Sequence, residues 1–392
     1  MPVSYPYTQY SGVWTTSQAT DAVAQGKWPA VGPHLFAWGY NNAGQLGLGF
    51  VSGTSSGISS PSQVGSLTNW LQVSSGSYYT IAVKTNGTLW TWGGNSYGQL
   101  GLGNIVYYSS PKQVGSLTSW STISAGKLHA AAIKTDGTLW TWGNNSFGQL
   151  GFGNITYYSS PKQVGSLTTW LKISCGNYNT AAIKTDGTLW SWGIGTTGIL
   201  GLNNTTSYSS PKQVGSLTTW LNIYCGQYSS YGIKTDGTIW SWGVNSQGQL
   251  GLGTNTNTNS SPKQIGALTT WTSASGGGVF AIALQSNGTL WAFGNNGFGQ
   301  LGLGNLTAYS SPKQVGSSTN WATIFTSNAA SFAINSSGQL YSWGENYYGT
   351  LGQGTSITST SSPAQVGSLT NWVSGAGDKA ASRHNALAIT SS

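Results

Sequence analysis

Seven times along this chain an apolar stretch ending in Trp-Gly or Phe-Gly runs into a glycine-rich turn of the Gly-Gln-Leu-Gly-Leu-Gly kind. The anchors are Trp38, Trp92, Trp142, Trp192, Trp242, Phe293 and Trp343, separated by 54, 50, 50, 50, 51 and 50 residues. A unit this short cannot bury its own apolar face, so copies at fixed spacing must stack into a solenoid or close into a ring.

The chain ends favour a ring. A complete unit, residues 120–169, opens on Trp120, alternates to Ile133-Lys134, turns at Thr135-Asp136-Gly137-Thr138, and continues through Leu139-Trp140-Thr141-Trp142-Gly143 to Ser-Ser-Pro-Lys-Gln. The first copy lacks its opening half and begins at Leu35-Phe36-Ala37-Trp38-Gly39; the last lacks its closing half and stops after Ala386-Leu387-Ala388-Ile389. Together the fragments make one unit, so the N-terminal strand is expected to pair with the C-terminal blade and remove both open sheet edges.

Asp-Gly or Asn-Gly between alternating apolar runs is a strong hairpin signal, because glycine accepts positive φ. It recurs at Asn86-Gly87, Asp186-Gly187, Asp236-Gly237 and Asn287-Gly288, and as Ser337-Gly338. No segment sustains helical periodicity with caps. The expected fold is all-β, a seven-bladed β-propeller over residues 34–392 preceded by an N-terminal arm, residues 1–33.

The run over residues 123–151, Ile-Ser-Ala-Gly followed by Ala-Ala-Ile-Lys-Thr-Asp-Gly-Thr-Leu-Trp-Thr-Trp-Gly-Asn-Asn-Ser-Phe-Gly-Gln-Leu-Gly, resembles the repeat of the regulator of chromosome condensation family. The resemblance covers roughly residues 34–390 and implies the propeller. It implies less about function, since that family includes nucleotide exchange factors, a plant ultraviolet-B photoreceptor and ubiquitin-ligase modules. The photoreceptor's Gly-Trp-Arg-His-Thr motif is absent. Three residues after the strand-end glycine the family usually has His; here the positions hold Tyr79, His129, Asn179, Ser229, Phe280 and Ala330, which disfavours an exchange factor.

Charged residues make up only 5% of the chain, against about a quarter in an ordinary soluble domain. The formal charge of +8 is spread by the repeat: Lys112, Lys162, Lys212, Lys263 and Lys313 share one position, and Lys84, Lys134, Lys184 and Lys234 another. They read as solvated lysines copied by duplication, or as a ring that meets a polyanion. Arg383 alone could recognise guanine or phosphate bidentately, so sequence-specific nucleic-acid binding is not expected. No run of about 18 apolar residues suggests membrane insertion, and Met1–Pro6 is not a secretory signal.

No catalytic or metal constellation emerges, and no cofactor is expected. The histidines are His34, His129 and His384, without metal-ligand spacing. Cys175 and Cys225 fall at a small-residue position of adjacent copies and read as free, buried thiols. The glycine turns lack the Lys-Ser/Thr and helix of a phosphate cradle. The chain is not expected to be an enzyme.

Two segments remain for recognition. The stretches after the glycine turns carry Tyr107, Tyr108, Tyr157, Tyr158, Tyr208 and Tyr309 among Ser, Thr and Asn, which suits adaptable binding or packing against the next blade. In the arm, Trp14 and Trp28 bracket a Gly-Val-Trp…Gly-Lys-Trp-Pro element similar to one in tailed-phage virion and tail-fibre proteins; it reads as a docking or capping segment. The expected function is therefore a non-enzymatic structural or adhesive virion component. It would be held to other virion proteins by its arm, located in the virion, and bind a host surface glycan or receptor through its loops. The alternative is an intracellular protein-interaction propeller, with or without guanine-nucleotide exchange on a small GTPase.

Overall fold

A computed structural model describes residues 32–53, 57–255, 258–354, 359–377 and 385–391. They form seven antiparallel four-stranded sheets. Six blades are consecutive in sequence: blade 1 spans 70–113, blade 2 120–163, blade 3 170–213, blade 4 220–264, blade 5 271–314 and blade 6 321–365. Blade 2 shows the pattern, with strands Trp120–Ala125, His129–Lys134, Leu139–Gly143 and Tyr158–Gln163. The first strands of all seven blades touch one another in a closed ring and are the innermost.

Blade 7 is composite. Its inner strands are Trp372–Gly377 and Asn385–Thr390, and its outer strands are Leu35–Gly39 and Ile58–Gln63. Leu35 pairs with Ile389 and Gly39 with Asn385, so the two chain ends share one sheet, as the complementary half-units require. The N-terminus contributes two strands to this closure rather than one.

Each hairpin turn is held by its own side chains. Asp136 Oδ1 accepts from the backbone N–H (2.9 Å) and hydroxyl (2.6 Å) of Thr138, whose Oγ1 accepts from Trp140 Nε1 (2.9 Å). Gly137 (φ 77°) follows, and a Cβ there would lie 2.1 Å from the carbonyl oxygen of Thr168. Positive φ and the close approach together require glycine.

Every outermost strand carries a proline: Pro61, Pro111, Pro161, Pro211, Pro262, Pro312 and Pro363. A residue without an N–H on an edge strand blocks further strand addition. The strand-end tryptophans Trp38, Trp92, Trp142, Trp192, Trp242 and Trp343 are buried between blades, each burying about 150–250 Å². At 25 cal/mol/Å² that is roughly 4–6 kcal/mol gross per ring.

Blades are bolted together through those rings. Trp142 Nε1 donates to the Gln99 carbonyl of blade 1 (2.9 Å), Trp192 to Gln149 (2.9 Å), Trp242 to Ile199 (2.8 Å) and Trp343 to Gln300 (3.0 Å). The same bond crosses the closure, from Trp38 Nε1 to the Thr350 carbonyl (2.7 Å) and from Trp92 Nε1 to that of Gln45 (2.9 Å).

Candidate functional site

Each third strand runs toward one end of the propeller and there enters a long loop before the fourth strand returns, so seven such loops crown one face. Their paths are set by carboxamides. In blade 2 Asn145 Oδ1 accepts from the Leu150 N–H (2.9 Å), while its Nδ2 donates to the carbonyls of Asn154 (2.9 Å) and Thr156 (3.0 Å). Gln149 Oε1 accepts from the Phe147 N–H (2.9 Å). With its polar staples turned inward, the loop turns its aliphatic and aromatic residues outward.

The outcome is an apolar arc. Phe50 and Val51 of blade 7, Tyr97, Ile105, Val106 and Tyr107 of blade 1, and Phe147, Ile155 and Tyr157 of blade 2 are all exposed, Ile105 by 64% and Ile155 by 65%. Tyr97 and Tyr157 meet edge-on across the blade boundary, centroids 5.6 Å apart. Tyr157 shares a 2.5 Å hydrogen bond with Ser146, and Tyr107 is bonded to Ser96 in the same way. The corresponding loops of blades 5 and 6 expose Phe298, Leu306 and Tyr347, whereas among the described residues those of blades 3 and 4 expose no large apolar side chain. The face is therefore lopsided despite the repeat.

The six tyrosines singled out in the sequence divide. Tyr107 and Tyr157 stand in the arc. Tyr108, Tyr158, Tyr208 and Tyr309 begin outermost strands and are half-buried. Lys112, Lys162, Lys212 and Lys313 lie over those four rings at 5.5, 4.2, 5.5 and 5.4 Å. Lys263 is exposed on blade 4, where the fourth strand pairs through Asn259 instead of a tyrosine. These five lysines line the rim, away from the arc. The other set sits over tryptophans: Lys134 Nζ is 3.8 Å from the Trp140 centroid and 5.1 Å from that of Trp120, and Lys84, Lys184 and Lys234 repeat this. Sequence reasoning missed Ile105, Val106, Ile155 and Phe50. Their signal was one or two large apolar residues just beyond the glycine turn, outside any strand alternation.

The positions where the family usually has His form blade seams. Tyr79, His129, Asn179, Ser229, Phe280 and Ala330 are buried, and register adds a seventh, Asn385, which pairs with Gly39 as His129 pairs with Gly143. His129 Nε2 bonds Thr180 Oγ1 of blade 3 (3.0 Å). Its ring is wholly buried, and desolvation pushes its pKa down to about 3. Tyr79 OH donates to the carbonyls of Gly126 (3.2 Å) and His129, and Ser75 Oγ to Asn385 Oδ1 (3.0 Å).

Asp136, Asp186 and Asp236 are held below the usual carboxylate range by the hydroxyls and N–H groups of Thr138, Thr188 and Thr238. Cys175 and Cys225 are buried thiols, and Cys225 Sγ lies 3.5 Å from the Ser174 carbonyl oxygen. Among the described residues no group of three His, Cys, Asp or Glu could hold a metal ion. No helix of the described residues is long and apolar enough to cross a membrane. Trp14, Trp28, Asp378, Arg383 and His384 lie outside the described residues.

Comparison with known proteins agrees with this geometry. The RCC1-like domain profile matches residues 117–384, and the Regulator of chromosome condensation (RCC1) repeat profile matches 34–83 and 86–133. Over 71 residues, 18% of this chain, the sequence is 39% identical to the probable E3 ubiquitin-protein ligase HERC6 of Homo sapiens. Over 74 residues, also 18%, it is 42% identical to the mitochondrial RCC1 domain-containing protein RUG3 of Arabidopsis thaliana. These matches span only 7% and 17% of the relatives' own lengths. The crystal structure of Prp20p from Saccharomyces cerevisiae, reported with its binding to Gsp1p and histones, superposes with a TM-score of 0.81 at 18% identity, covering 92% of each chain. Human WBSCR16 gives 0.81 at 20% identity, over 92% of this chain and 99% of that one. At such identities the likeness shows the fold.

These relatives overturn the virion expectation. They are eukaryotic proteins of the propeller family, so the tail-fibre role, the virion partners, the host-surface glycan or receptor and the virion location are all corrected. The physical reason lies in the two features that suggested them. The phage-like element occupies about twenty residues of the arm, outside the repeat. The Ser, Thr and Asn residues beside the loop tyrosines are in large part spent on bonds within the loops, as where Asn145 Nδ2 donates to the Asn154 and Thr156 carbonyls.

Proposed function

The chain belongs to the RCC1-like domain family, and on that premise we propose that it is a non-enzymatic, intracellular protein-interaction propeller that holds its partner on the loop face. The apolar arc of blades 7, 1 and 2 carries this reading. Contiguous exposed apolar side chains mark interaction surfaces, and aromatic rings fixed by neighbouring hydroxyls bring contact area at small entropic cost. The contact residues are Tyr107, Tyr157, Ile105, Val106, Ile155 and Phe50. The rim lysines, spaced by the repeat and four of the five lying over tyrosine rings, are peripheral to it. A division into an arm, residues 1–33, and a propeller, residues 34–392, belongs to the same proposal.

Ile105→Ser/Ile155→Ser removes the centre of the arc without touching the core. Wild type and variant are compared by cross-linking and mass spectrometry in cells of the source organism. A partner captured at fixed stoichiometry by the wild type and lost from the variant is expected; equal capture by both rejects the loop face. Where the partner is a small GTPase, a nucleotide-release assay on the pair tests exchange directly.

A further inference from the structure

Between the outer strands of blades 3 and 4 lies a cleft of about 420 Å³, walled by Leu202, Leu217 and Pro262 and lined by Trp240 and Trp220. It departs from the repeat at its mouth. Asn203 adopts φ 60° where Gly103, Gly153 and Gly253 stand in neighbouring copies. Its Oδ1 accepts from Ser261 Oγ (2.9 Å), and the residue is exposed among the lining residues of the cleft. Gln213, also at the mouth, is exposed and, like Gln163 and Gln264, does not make the bond to the following glycine carbonyl that Gln63, Gln113 and Gln314 make at 3.1, 3.0 and 3.2 Å. Inside, Trp220 is 3% exposed and its indole N–H has no partner, a feature it shares with Trp120, Trp170, Trp271, Trp321 and Trp372 of other blades. Lys234 Nζ sits 3.5 Å from the Trp240 centroid.

We infer that this cleft binds an extended peptide segment through uncharged apolar side chains. This rests on the protein-binding reading and gives it a second site. The lysine already engages the Trp240 π-system, so a cationic side chain gains little there, and an apolar one has the aliphatic walls. Carboxamides offer a donor and an acceptor each, the two groups that a peptide unit presents. A pocket mostly apolar in lining with a few convergent polar groups is the usual form of a ligand site.

The test uses an mRNA-displayed library of random peptides, selected on the full chain. Selected peptides are expected to carry neighbouring uncharged apolar residues. Their affinity should fall about tenfold with Asn203→Gly and with Gln213→Ala, the loss of one hydrogen bond, and further with Leu217→Ser. Asn203→Gly and Leu217→Ser install residues that sister blades carry, so both variants should fold. Affinity unchanged in all three variants overturns the inference, as does failure of any peptide to enrich. Retention on immobilised neutral oligosaccharides, or self-association abolished by Leu217→Ser, with no peptide bound, overturns it too. Peptides that depend on Ile105 and Ile155 instead would reject the cleft while supporting the loop face. Cleft binding that survives alongside equal partner capture by the Ile105/Ile155 variant would reject the loop face alone.

Discussion

The phenol of Tyr231 donates a 2.7 Å hydrogen bond to the carbonyl of Gln249, the position that accepts an indole N–H in the other six blades. Blade 5 carries Phe293 in place of tryptophan and so has no N–H to give. Tyr231, in the same blade 4 as Gln249, supplies the donor for that oxygen and packs edge-on across the seam against Phe293, centroids 6.1 Å apart. Tyr231→Phe removes the one hydrogen bond described for that carbonyl and leaves it buried. We expect a loss of about 1–3 kcal/mol, read as a lower urea midpoint at unchanged m-value; an unchanged midpoint contradicts the compensation.

The same accounting ranks two other substitutions. The Gln149 carbonyl accepts from both Trp192 and Thr180 (2.8 Å), whereas that of Gln99 accepts from Trp142 only, because its second position is Ala130. Trp142→Phe should therefore destabilise more than Trp192→Phe, by about 1 kcal/mol. Equal costs in parallel denaturant titrations would mean that the second donor contributes nothing.

His129 makes stability depend on pH. Its folded pKa is pushed down to about 3, while the unfolded imidazole titrates near 6.5. Between those values the unfolded chain binds a proton that the native one does not, so stability falls as pH drops through that window, with a limiting slope of about 1.4 kcal/mol per pH unit. His129→Asn installs the residue of the adjacent blade, Asn179, and should flatten the difference in stability between pH 6.5 and 4.5. A variant with the wild-type pH slope would assign that slope to other groups.

Ring closure depends on Leu35–Gly39, which pairs along its whole length with the C-terminal strand. Deleting residues 34–39 removes that pairing and the Trp38–Thr350 seam, so we expect a severely lowered and broadened thermal transition. Deleting residues 1–31 leaves every described closing contact in place and should leave Tm unchanged. A sharp, unshifted melt in the first variant would refute closure by the chain ends.

Much of the architecture was legible in the residues, but little of the site. The interval between Trp-Gly anchors, the Asp-Gly turns and the half-units at each end specified seven blades and their closure. The tyrosines were harder. Tyr107 and Tyr108 are adjacent with the same side-chain chemistry, yet one stands exposed and the other lies under Lys112. The family-His position was read for function; in the fold it is a seam, with its seventh member, Asn385, hidden behind a longer intervening segment.

The sequence by itself determined the blade count, the hairpins and the partnership of the two chain ends, because these rest on local sterics and on alternation within a few residues of the chain. Only the tertiary structure decided which side chains face solvent and which bolt neighbouring blades together. Those choices depend on groups about fifty residues away in the next blade and on loop paths set by carboxamide staples such as Asn145 and Gln149.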